Sequence, residues 1–504
     1  MNLNELTLEL TISTLLSLGR MLAAYMLSLI LAIVTGVAMA RNKYVESILL
    51  PILDVLQSIP ILGFFPAVLA VFIATLGPVA GGELSSIFLI TTSLVWNMIF
   101  GVYSSIKSLD PSIDHLVAVY KLPLIHRFLY IYLPASKSSI AANSIISWAG
   151  GWFFLTSAEV ISMGRVEYRL KGLGSFIIKA FEEGSTMAYT TGLLALFMVI
   201  LVSYLIIWNP FTMKYTGTRT LLGFMKAYDV IDKALSKTWG LIVEKVVAAY
   251  NVVTRVKIKS THIIICSILP LLLYQYHTRL ALDNSLYSKI LEYGVDFLRV
   301  APRTLIRVYL VVVTGLAVSI LLAYISHTRL KLGKIIVMSG EVLSSIPAMM
   351  WWPILLPLLK GFPQGVMMFV YLQGSLWYVF FNVLIFGLSS LRESIIELSE
   401  IYNVKGRLYL SRIFIPSLLP SIIAGGLSAS GGAWNASIAA EYIVLGGLTV
   451  DMGGVGSLLN KQAQAGDVLG VLSTSFFMSL VVVFINKTIW ARILGKIRGY
   501  YVVE

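Results

Sequence analysis

The sequence has few charged residues. Asp, Glu, Lys and Arg make up 12% of the 504 residues, against 58% hydrophobic residues, whereas water-soluble domains carry about twice that charged fraction. The hydrophobic residues fall in runs of about 20, the length with which a helix crosses a ~30 Å hydrocarbon core. These runs are too long and too continuously apolar for barrel strands. The composition excludes an ordinary soluble domain and predicts membrane-spanning helices.

Residues needed for several kinds of chemistry are also scarce. The only cysteine, Cys266, lies inside an apolar run, which excludes an intrachain disulfide and a two-cysteine metal site. The five histidines are scattered, whereas a membrane-embedded transferase needs clustered acids or histidines at the membrane surface. We therefore expect no catalytic residue and no metal site. The first ten residues carry two acids and no base, so we expect the first apolar run to remain in the protein rather than to be a cleaved signal peptide.

Lys and Arg give the chain a net charge of +13. When the apolar runs are threaded alternately through a membrane, most of these basic residues collect on one side, which identifies that side as the cytoplasm. This distribution explains the charge without nucleic acid. It predicts a multi-pass plasma-membrane protein with its N-terminus outside and its C-terminus in the cytoplasm. The eleven runs are 12–40, 49–75, 84–106, 138–163, 188–208, 261–276, 304–325, 335–359, 366–388, 418–445 and 468–489.

The chain contains an internal repeat. Early positions of the first half match positions 287 residues later, and later ones match positions 282 residues later. A unit of five spans is odd, so the run at 261–276 gives both copies the same orientation, as in parallel repeats related by an axis along the membrane normal. The matched pairs include Arg20 and Arg307, Asp54 and Glu341, Pro60 and Pro347, Pro66 and Pro353 (287), then Tyr120 and Tyr402, Pro134 and Pro416, Trp152 and Trp434, Glu159 and Glu441 (282).

The predicted fold is therefore an all-α integral membrane protein of two tandem five-helix units related by a parallel pseudo-two-fold, with one extra connecting transmembrane helix. We place the first unit at 1–210, a basic cytoplasmic linker at 211–260, the extra helix and an outer loop at 261–299, and the second unit at 300–504. The linker holds nine basic residues against three acids. Its pattern fits an amphipathic helix on the inner membrane surface or a solvated connector.

A polar stretch of roughly 28 residues joins the third and fourth spans of each unit. It resembles the Glu-Ala-Ala loop of binding-protein-dependent ABC importer permeases, in which Glu-Ala-Ala is followed by three residues, Gly, nine residues and Ile-x-Leu-Pro. Only Glu397 keeps the acid, and the glycine is replaced by Lys121 and Asn403. The matching positions are His115, Leu116, Val117, Lys121 and Pro134 in the first copy and Glu397, Leu398, Ser399, Asn403 and Pro416 in the second.

The resemblance implies that each loop carries a short helix that docks into a cleft of an ATPase subunit. The expected partners are two copies of a cytoplasmic ABC ATPase, an extracellular solute-binding protein and membrane lipid. No phosphate loop of the form GxxxxGK followed by Ser or Thr occurs in the chain. ATP and magnesium are accordingly expected on the separate ATPase, with no cofactor in this chain. The alternative reading of each loop is an ordinary connector along the membrane surface.

Further motifs resemble the nitrate, sulfonate and taurine branch of these permeases, which implies a small anion as the solute. An ion-coupled secondary transporter would also explain parallel repeats, and it predicts uptake without an ATPase partner. An ABC exporter would usually lack the two loops. The motifs are Ser345-Ile346-Pro347 with Trp352-Pro353, Trp434 with Ala439-Ala440-Glu441 and Gly454-Val455-Gly456, and, in the first copy, Ser157-Ala158-Glu159 and Gly172-Leu173-Gly174.

Ionisable residues inside spans are costly and invite a functional interpretation. Glu159 and Glu441 either line the pathway or brace the loop that follows, and for an anion the bracing role is favoured because a carboxylate would repel the solute. Arg20 and Arg307 either draw anions into a vestibule or extend to the membrane interface. The prolines of the second spans are predicted to kink those helices; they are Pro60, Pro66, Pro347 and Pro353.

Overall fold

The structure is a computed structural model. It describes residues 3–57, 60–163, 166–208, 210–211, 284–346, 348–359, 361–388, 390–391, 393–445, 448–490, 492–493 and 495–496. The predicted linker, apart from residue 211, and the extra transmembrane helix at 261–276 lie outside the described residues, as does Pro347.

The first unit contains nine α-helices and one β-hairpin among its described residues. A π-helical segment, Phe128–Tyr132, joins α6 to α7, and a second one, Tyr204–Trp208, extends α9. In chain order the elements are α1 (Leu3–Arg41), α2 (Lys43–Leu56), α3 (Ile61–Leu76), α4 (Pro78–Lys107), α5 (Pro111–Val119), α6 (Leu124–Arg127), α7 (Leu133–Glu159), β1 (Val160–Met163), β2 (Val166–Arg169), α8 (Leu173–Glu182) and α9 (Thr186–Ser203).

The second unit repeats this order. Short π-helical or 3-10 segments extend four of its helices: Leu356–Leu358, Asn382–Gly387, Leu410–Phe414 and Asn486–Trp490. Its elements are α10 (Asn284–Thr328), α11 (Leu330–Ser344), α12 (Ala348–Leu355), α13 (Pro363–Phe381), α14 (Glu393–Ile401), α15 (Gly406–Tyr409), α16 (Ile415–Ala440), β3 (Tyr442–Leu445), β4 (Leu448–Asp451), α17 (Val455–Gln464) and α18 (Val468–Ile485).

Seven helices of the described part are long and apolar enough to cross a membrane: Asn4–Arg41, Pro78–Lys107, Thr186–Trp208, Tyr287–Thr328, Pro363–Gly387, Gly406–Ala440 and Val468–Trp490. The all-α membrane fold is confirmed, although the structure does not give eleven uniform spans. The leading helix α10 has 45 residues, which at 1.5 Å per residue is roughly 67 Å and far exceeds a ~30 Å hydrocarbon core. The predicted boundary between residues 299 and 300 falls inside this helix.

The second apolar run of the first unit is broken rather than kinked. Helix α2 ends at Leu56, and α3 begins at Ile61 with Pro60 as its N-cap residue. Proline fixes φ and has no N–H to donate, so it opens a helix more readily than it continues one. Pro66 lies inside α3, and Pro353 lies inside α12. In the second unit, α11 likewise ends at Ser344 before α12 begins.

Each unit also contains a two-stranded antiparallel hairpin, which the sequence analysis placed in apolar runs and loops. Val160 pairs with Arg169 in the first hairpin, and Tyr442 pairs with Asp451 in the second. Asp451 fixes its hairpin to α17 through Ser457 Oγ at 2.6 Å and Lys461 Nζ at 2.5 Å. Partial burial opposes ionisation of this carboxyl, but the hydrogen bonds from Lys461 and Ser457 outweigh it and lower its pKa to about 2.

The two units pack into each other through their second spans. Helix α3 of the first unit packs against α16 and α18 of the second, while α12 packs against α7 and α8 of the first. Ser475 Oγ of α18 donates to the carbonyl of Gly63 at 2.8 Å, and Tyr189 Oη of α9 donates to the carbonyl of Met350 at 3.1 Å. Gly63 and Met350 are repeat equivalents, displaced by 287. The same carbonyl of each broken span therefore accepts a hydroxyl of the opposite unit.

Candidate functional site

Helix α5 lies in the first of the two predicted coupling loops. Asp110 caps its N-terminus by accepting the backbone N–H of Ser112 at 2.7 Å, and Pro111 occupies the first helical position. The hydrogen bond from this N–H lowers the pKa of Asp110. The capped start and the length of 9 residues define a short, separate helix between the third and fourth spans.

A turn with a left-handed residue ends α5. The N–H of Leu122 donates to the carbonyl of Val117 at 3.2 Å, and the N–H of Lys121 donates to that of Ala118 at 3.3 Å. This is the hydrogen-bond pattern of a Schellman motif, which needs a positive φ at its turning residue. Lys121 supplies it with φ 46°. The residue that replaces the glycine of the family pattern thus keeps the backbone conformation that glycine usually provides.

Helix α14 of the second unit ends in the same way. The N–H of Val404 donates to the carbonyl of Ser399 at 2.8 Å, and the N–H of Asn403 donates to that of Glu400 at 3.1 Å. Asn403 has φ 52°. The two predicted coupling loops therefore contain helices of equal length with equivalent ends.

Each of these helices, together with the residue that follows its last turn, presents three large apolar side chains outward, spaced i, i+3 and i+4, so that they form one stripe. The members occupy equivalent positions in the two units, displaced by 282. We call these sets the docking stripes. In the first they are Leu116 (54% exposed), Val119 (74%) and Tyr120 (71%), and in the second Leu398 (51%), Ile401 (75%) and Tyr402 (75%).

The remaining predicted loop residues lie around the docking stripes. His115 and Glu397 are exposed at equivalent positions but differ in charge. Val117 and Ser399 are both buried, at 5% and 6% exposure, so they face the body of the protein. The two prolines that end the loops occupy the second position of the following helix: Pro134 in α7 and Pro416 in α16.

Glu159 is fully buried at the end of α7, where its carboxylate is surrounded by donors. It accepts the hydroxyl of Ser17 at 2.5 Å, Nη1 of Arg20 at 2.9 Å and the backbone N–H of Gly174 at 2.7 Å. Gly174 belongs to the first turn of α8, where the helix dipole favours a negative charge. The carboxylate thus joins three separate parts of the unit, namely α1, the end of α7 and the start of α8.

Glu441 is the equivalent carboxylate of the second unit and is also fully buried. It accepts the hydroxyl of Thr304 at 2.9 Å, Nη1 of Arg307 at 2.7 Å, the hydroxyl of Tyr371 at 2.7 Å and the N–H of Gly456 at 2.8 Å. The repeat thus preserves a carboxylate, an arginine, a hydroxyl and a helix N-terminus.

The Gly-x-Gly pattern follows from the close approach of these carboxylates. A Cβ added at Gly172 would overlap the carboxylate of Glu159, and one added at Gly454 would overlap that of Glu441. Gly454 also has φ 131°, a conformation that only glycine adopts without strain.

The two arginines are bound inside their units, and neither is among the residues that line the cavity described below. Arg20 is 5% exposed, and its fork binds both oxygens of Glu83 at 2.6 and 2.7 Å in addition to Glu159. Arg307 donates to the carbonyls of Met452 and Gly453. Burial and charged partners explain why these side chains are fixed inside the protein.

Between the two units lies a space of about 710 Å³, part of it open to solvent, which both units line. The first unit contributes Gln57, Ser93, Trp96 and Asn97, and the second contributes Ser428 and Asn435. None of the described residues that line it is an Asp, Glu, Lys, Arg or His. The space adjoins a second, mainly apolar one of about 440 Å³.

Two like units, a shared internal cavity and a pair of exposed docking stripes define a membrane transport permease. The chain belongs to the family of binding-protein-dependent transport system inner membrane components, whose model matches residues 28–209 and again residues 315–494. Two matches in one chain make it a duplicated permease of this family.

Each curated relative matches about a third of this chain. The nitrate import permease protein NrtB of Synechococcus elongatus is 27% identical over 188 residues, which is 37% of this chain and 63% of the relative. The bicarbonate transport system permease protein CmpB of the same organism is 22% identical over 170 residues, 34% and 57% of the two chains. A putative ABC transporter permease protein of Methanocaldococcus jannaschii is 23% identical over 170 residues, 34% and 59%. The chain thus spans about three fifths of the length of these relatives.

Several residues of these sites were missed by the sequence analysis. Ser17 and Thr304 are repeat equivalents three residues before the paired arginines, so the repeat contained a signal for them. Tyr371 and Glu83 have no like counterpart in the other unit, and no pattern pointed to them. Trp96 and Asn435 look like ordinary polar or aromatic interruptions of an apolar run.

Proposed function

We propose that this chain forms the translocation pathway of an ATP-driven importer for a small anion of the nitrate or bicarbonate type. Two ATPase subunits dock on α5 and α14 at the cytoplasmic side, and a solute-binding protein delivers the anion at the opposite side. The N-terminus lies outside and the C-terminus lies in the cytoplasm. Closure of the ATPase dimer moves the two units relative to each other and opens the cavity between them.

The pair of docking stripes is the observation that carries this proposal. Each stripe exposes three large apolar side chains on a helix that lies between polar loop residues. Leaving such area in water costs about 25 cal/mol per Å², and the repetition at equivalent positions indicates one recurring partner for both helices. Docking of a helix into an apolar groove is a common mode of protein recognition, in which side chains at i, i+3 and i+4 of the helix insert into the groove.

The cavity supports an anion and disfavours a proton-coupled carrier. Proton relays in membranes are built from Asp, Glu and His, and the described residues that line the larger space include no Asp, Glu, Lys, Arg or His. The absence of carboxylates from this lining also removes the charge that would repel an anion. Relatives named for nitrate and bicarbonate transport agree with this substrate class.

Substitutions in the docking stripes test the proposal. The chain is co-expressed with a candidate ABC ATPase subunit, and its recovery with the ATPase and the ATP-driven uptake of nitrate are measured. We expect Val119→Asp and Ile401→Asp each to lower both by at least tenfold, because a charge then enters an apolar groove. Ala118→Ser and Glu400→Gln, at equivalent positions on the same two helices, are the controls and should keep both within about twofold. Uptake driven by an ion gradient in the absence of the ATPase would overturn the proposal.

A further inference from the structure

The cavity between the units has two lobes of different chemistry. The polar lobe is the larger space, lined by Ser93, Trp96, Asn97, Ser428 and Asn435 among others. The apolar lobe is the smaller one, lined among others by Ile146, Phe153, Trp377 and Phe381. Phe154, Tyr378, Gly432 and Asn435 line both, so the lobes are continuous.

The lobes are repeat equivalents of each other. Ile146 corresponds to Ser428 and Phe153 to Asn435, each displaced by 282. The fourth span of the second unit therefore turns polar side chains towards the cavity where the fourth span of the first unit has apolar ones. Ser344, Gln373 and Trp377 also line the apolar lobe, but the fourth span of the first unit offers no polar side chain there, so the two lobes are unequal and do not form two copies of one site.

The orientation of the Asn435 amide is set by the opposite unit. The backbone N–H of Leu62, in the first turn of α3, lies 3.3 Å from Oδ1 of Asn435. A backbone N–H can only donate, so the amide oxygen faces Leu62 and the NH2 group faces away. One N–H of that group makes a long contact of 3.4 Å with the carbonyl of Gly431. The other N–H has no partner among the described residues and remains for a ligand.

Two further donors of the polar lobe have no acceptor among the described residues. The indole Nε1 of Trp96 is buried and makes no hydrogen bond there, although an indole N–H can only donate and usually finds an acceptor when buried. The side-chain amide of Asn97, one residue later, likewise has no partner in the described part of the chain. A lobe with spare N–H donors suits a ligand that is rich in acceptors.

The described residues that line the polar lobe include no Asp, Glu, Lys, Arg or His, and this restricts the class of ligand further. Without a fixed cation, an anion is held by neutral donors alone, and the cost of moving an ion into a low-dielectric site rises steeply with its charge. A doubly charged anion such as sulfate is therefore disfavoured against a singly charged one. A zwitterion such as taurine would also need a carboxylate for its ammonium group, and the described residues of the lobe offer none.

We propose that the polar lobe is a single internal binding site for a small, singly charged oxyanion, held by the N–H groups of Asn435, Trp96 and Asn97. This inference rests on the proposed function for the identity of the transported solute, but the binding step itself needs no partner chain. It places part of the selectivity inside the permease, between the two units.

Thermal unfolding of the full chain in lipid nanodiscs tests the site. Sodium nitrate and sodium sulfate are compared at equal ionic strength, with taurine as a third additive. Salts also shift Tm through general effects on burial, so the measured quantity is the difference between the native chain and each variant in the same salt. A ligand that binds only the folded state raises Tm with its concentration. We expect the difference in Tm between the native chain and Asn435→Leu to increase with the concentration of nitrate. The same difference should stay constant as sulfate or taurine is added.

Two more variants make the result specific. Trp96→Phe keeps an aromatic ring and removes the N–H donor together with the five-membered ring of the indole, so it should weaken the apparent Kd for nitrate by at least fivefold even if Asn435→Leu folds poorly. Phe153→Leu, at the repeat equivalent of Asn435 in the apolar lobe, should keep the native response. The inference is overturned if both polar-lobe variants respond to nitrate like the native chain, or if sulfate produces the same variant-dependent shift.

The outcome is separable from that of the proposed function. If nitrate does not stabilise the native chain specifically but the docking-stripe variants still abolish uptake, the internal site is refuted and the importer function stands. If the Tm response to nitrate depends on Asn435 but the native chain is not recovered with the ATPase, the importer function is refuted and the internal site stands.

Discussion

At the scale of single residues, the two buried carboxylates differ in how well their arginines are neutralised. Arg20 has two acids, Glu83 and Glu159, at 2.6 and 2.9 Å. Among the residues that the structure describes, Arg307 has one acidic partner, Glu441 at 2.7 Å, and two backbone carbonyls. Removal of one partner of a buried pair is costly because it leaves an uncompensated charge. The second unit should therefore depend more strongly on its single carboxylate.

We expect Glu441→Gln to lower the free energy of unfolding by about 3 to 5 kcal/mol. Glu159→Gln should cost less, because Glu83 continues to neutralise Arg20. Denaturant unfolding of the two variants in detergent, each compared with the native chain, measures the difference. The Glu83→Gln and Glu159→Gln double variant serves as the matched case and should approach the cost of Glu441→Gln. Equal costs for the two single variants would contradict the argument.

The sequence predicted the position of these residues better than their contacts. The repeat paired Arg20 with Arg307 and Glu159 with Glu441, since both pairs keep identical residues. It did not indicate that each arginine would bind a carboxylate more than 130 residues away in the chain. Spacing in sequence carries no information on a contact made by packing of distant helices, whereas the hydroxyls of Ser17 and Thr304 could have been found from the repeat.

At the scale of elements, the ends of α5 and α14 impose a backbone conformation that suits glycine. Lys121 and Asn403 adopt positive φ, which costs an ordinary side chain about 1 kcal/mol or more, while asparagine tolerates it better. The spacing of the loops matched these two positions to the glycine of the family pattern, but it did not predict the left-handed turn that the structure shows there.

We expect Lys121→Gly to stabilise the end of α5 by about 1 kcal/mol, and Asn403→Gly to stabilise that of α14 by less. Hydrogen exchange of the amide of Leu122, which closes the turn, should slow by about fivefold in the first variant. Lys121→Ala keeps a Cβ and removes the charge, so it is the control and should leave the exchange rate nearly unchanged. Slower exchange of the Leu122 amide in Lys121→Ala would show that loss of the positive charge, and not loss of Cβ, stabilises the turn.

The hairpins show what pattern reading overlooked at this scale. Tyr442–Leu445 and Leu448–Asp451 are separated by two glycines in the sequence, a spacing typical of a tight hairpin. Strands β1 and β3 directly follow long apolar helices and were included in the predicted apolar runs, whereas β2 and β4 fell in the loops after them. A four-residue strand cannot be told from the end of a helix by hydropathy alone.

At the scale of the whole molecule, the two units depend on each other through matched hydrogen bonds. Ser475→Ala and Tyr189→Phe each remove a hydroxyl that crosses to a broken span of the opposite unit. Each should lower the free energy of unfolding by about 1 kcal/mol, measured by thermal unfolding. Ser479→Ala and Thr190→Ala remove hydroxyls that bond only within their own helices, so they are the controls and should have smaller effects. Controls as costly as the crossing variants would show that the units are not coupled in this way.

Those crossing bonds also bear on how the protein is made. Gly63 and its hydroxyl partner are 412 residues apart in the chain, and Leu62 and its amide partner are 373 apart. At synthesis rates of about 5 to 20 residues per second, the broken helix of the first unit waits roughly 20 to 80 s in the bilayer before its partners emerge from the ribosome. During that interval the N–H of Leu62, in the first turn of α3, has neither an intrahelical acceptor nor its partner from the second unit. The first unit therefore completes this part of its packing only after the second unit has been made.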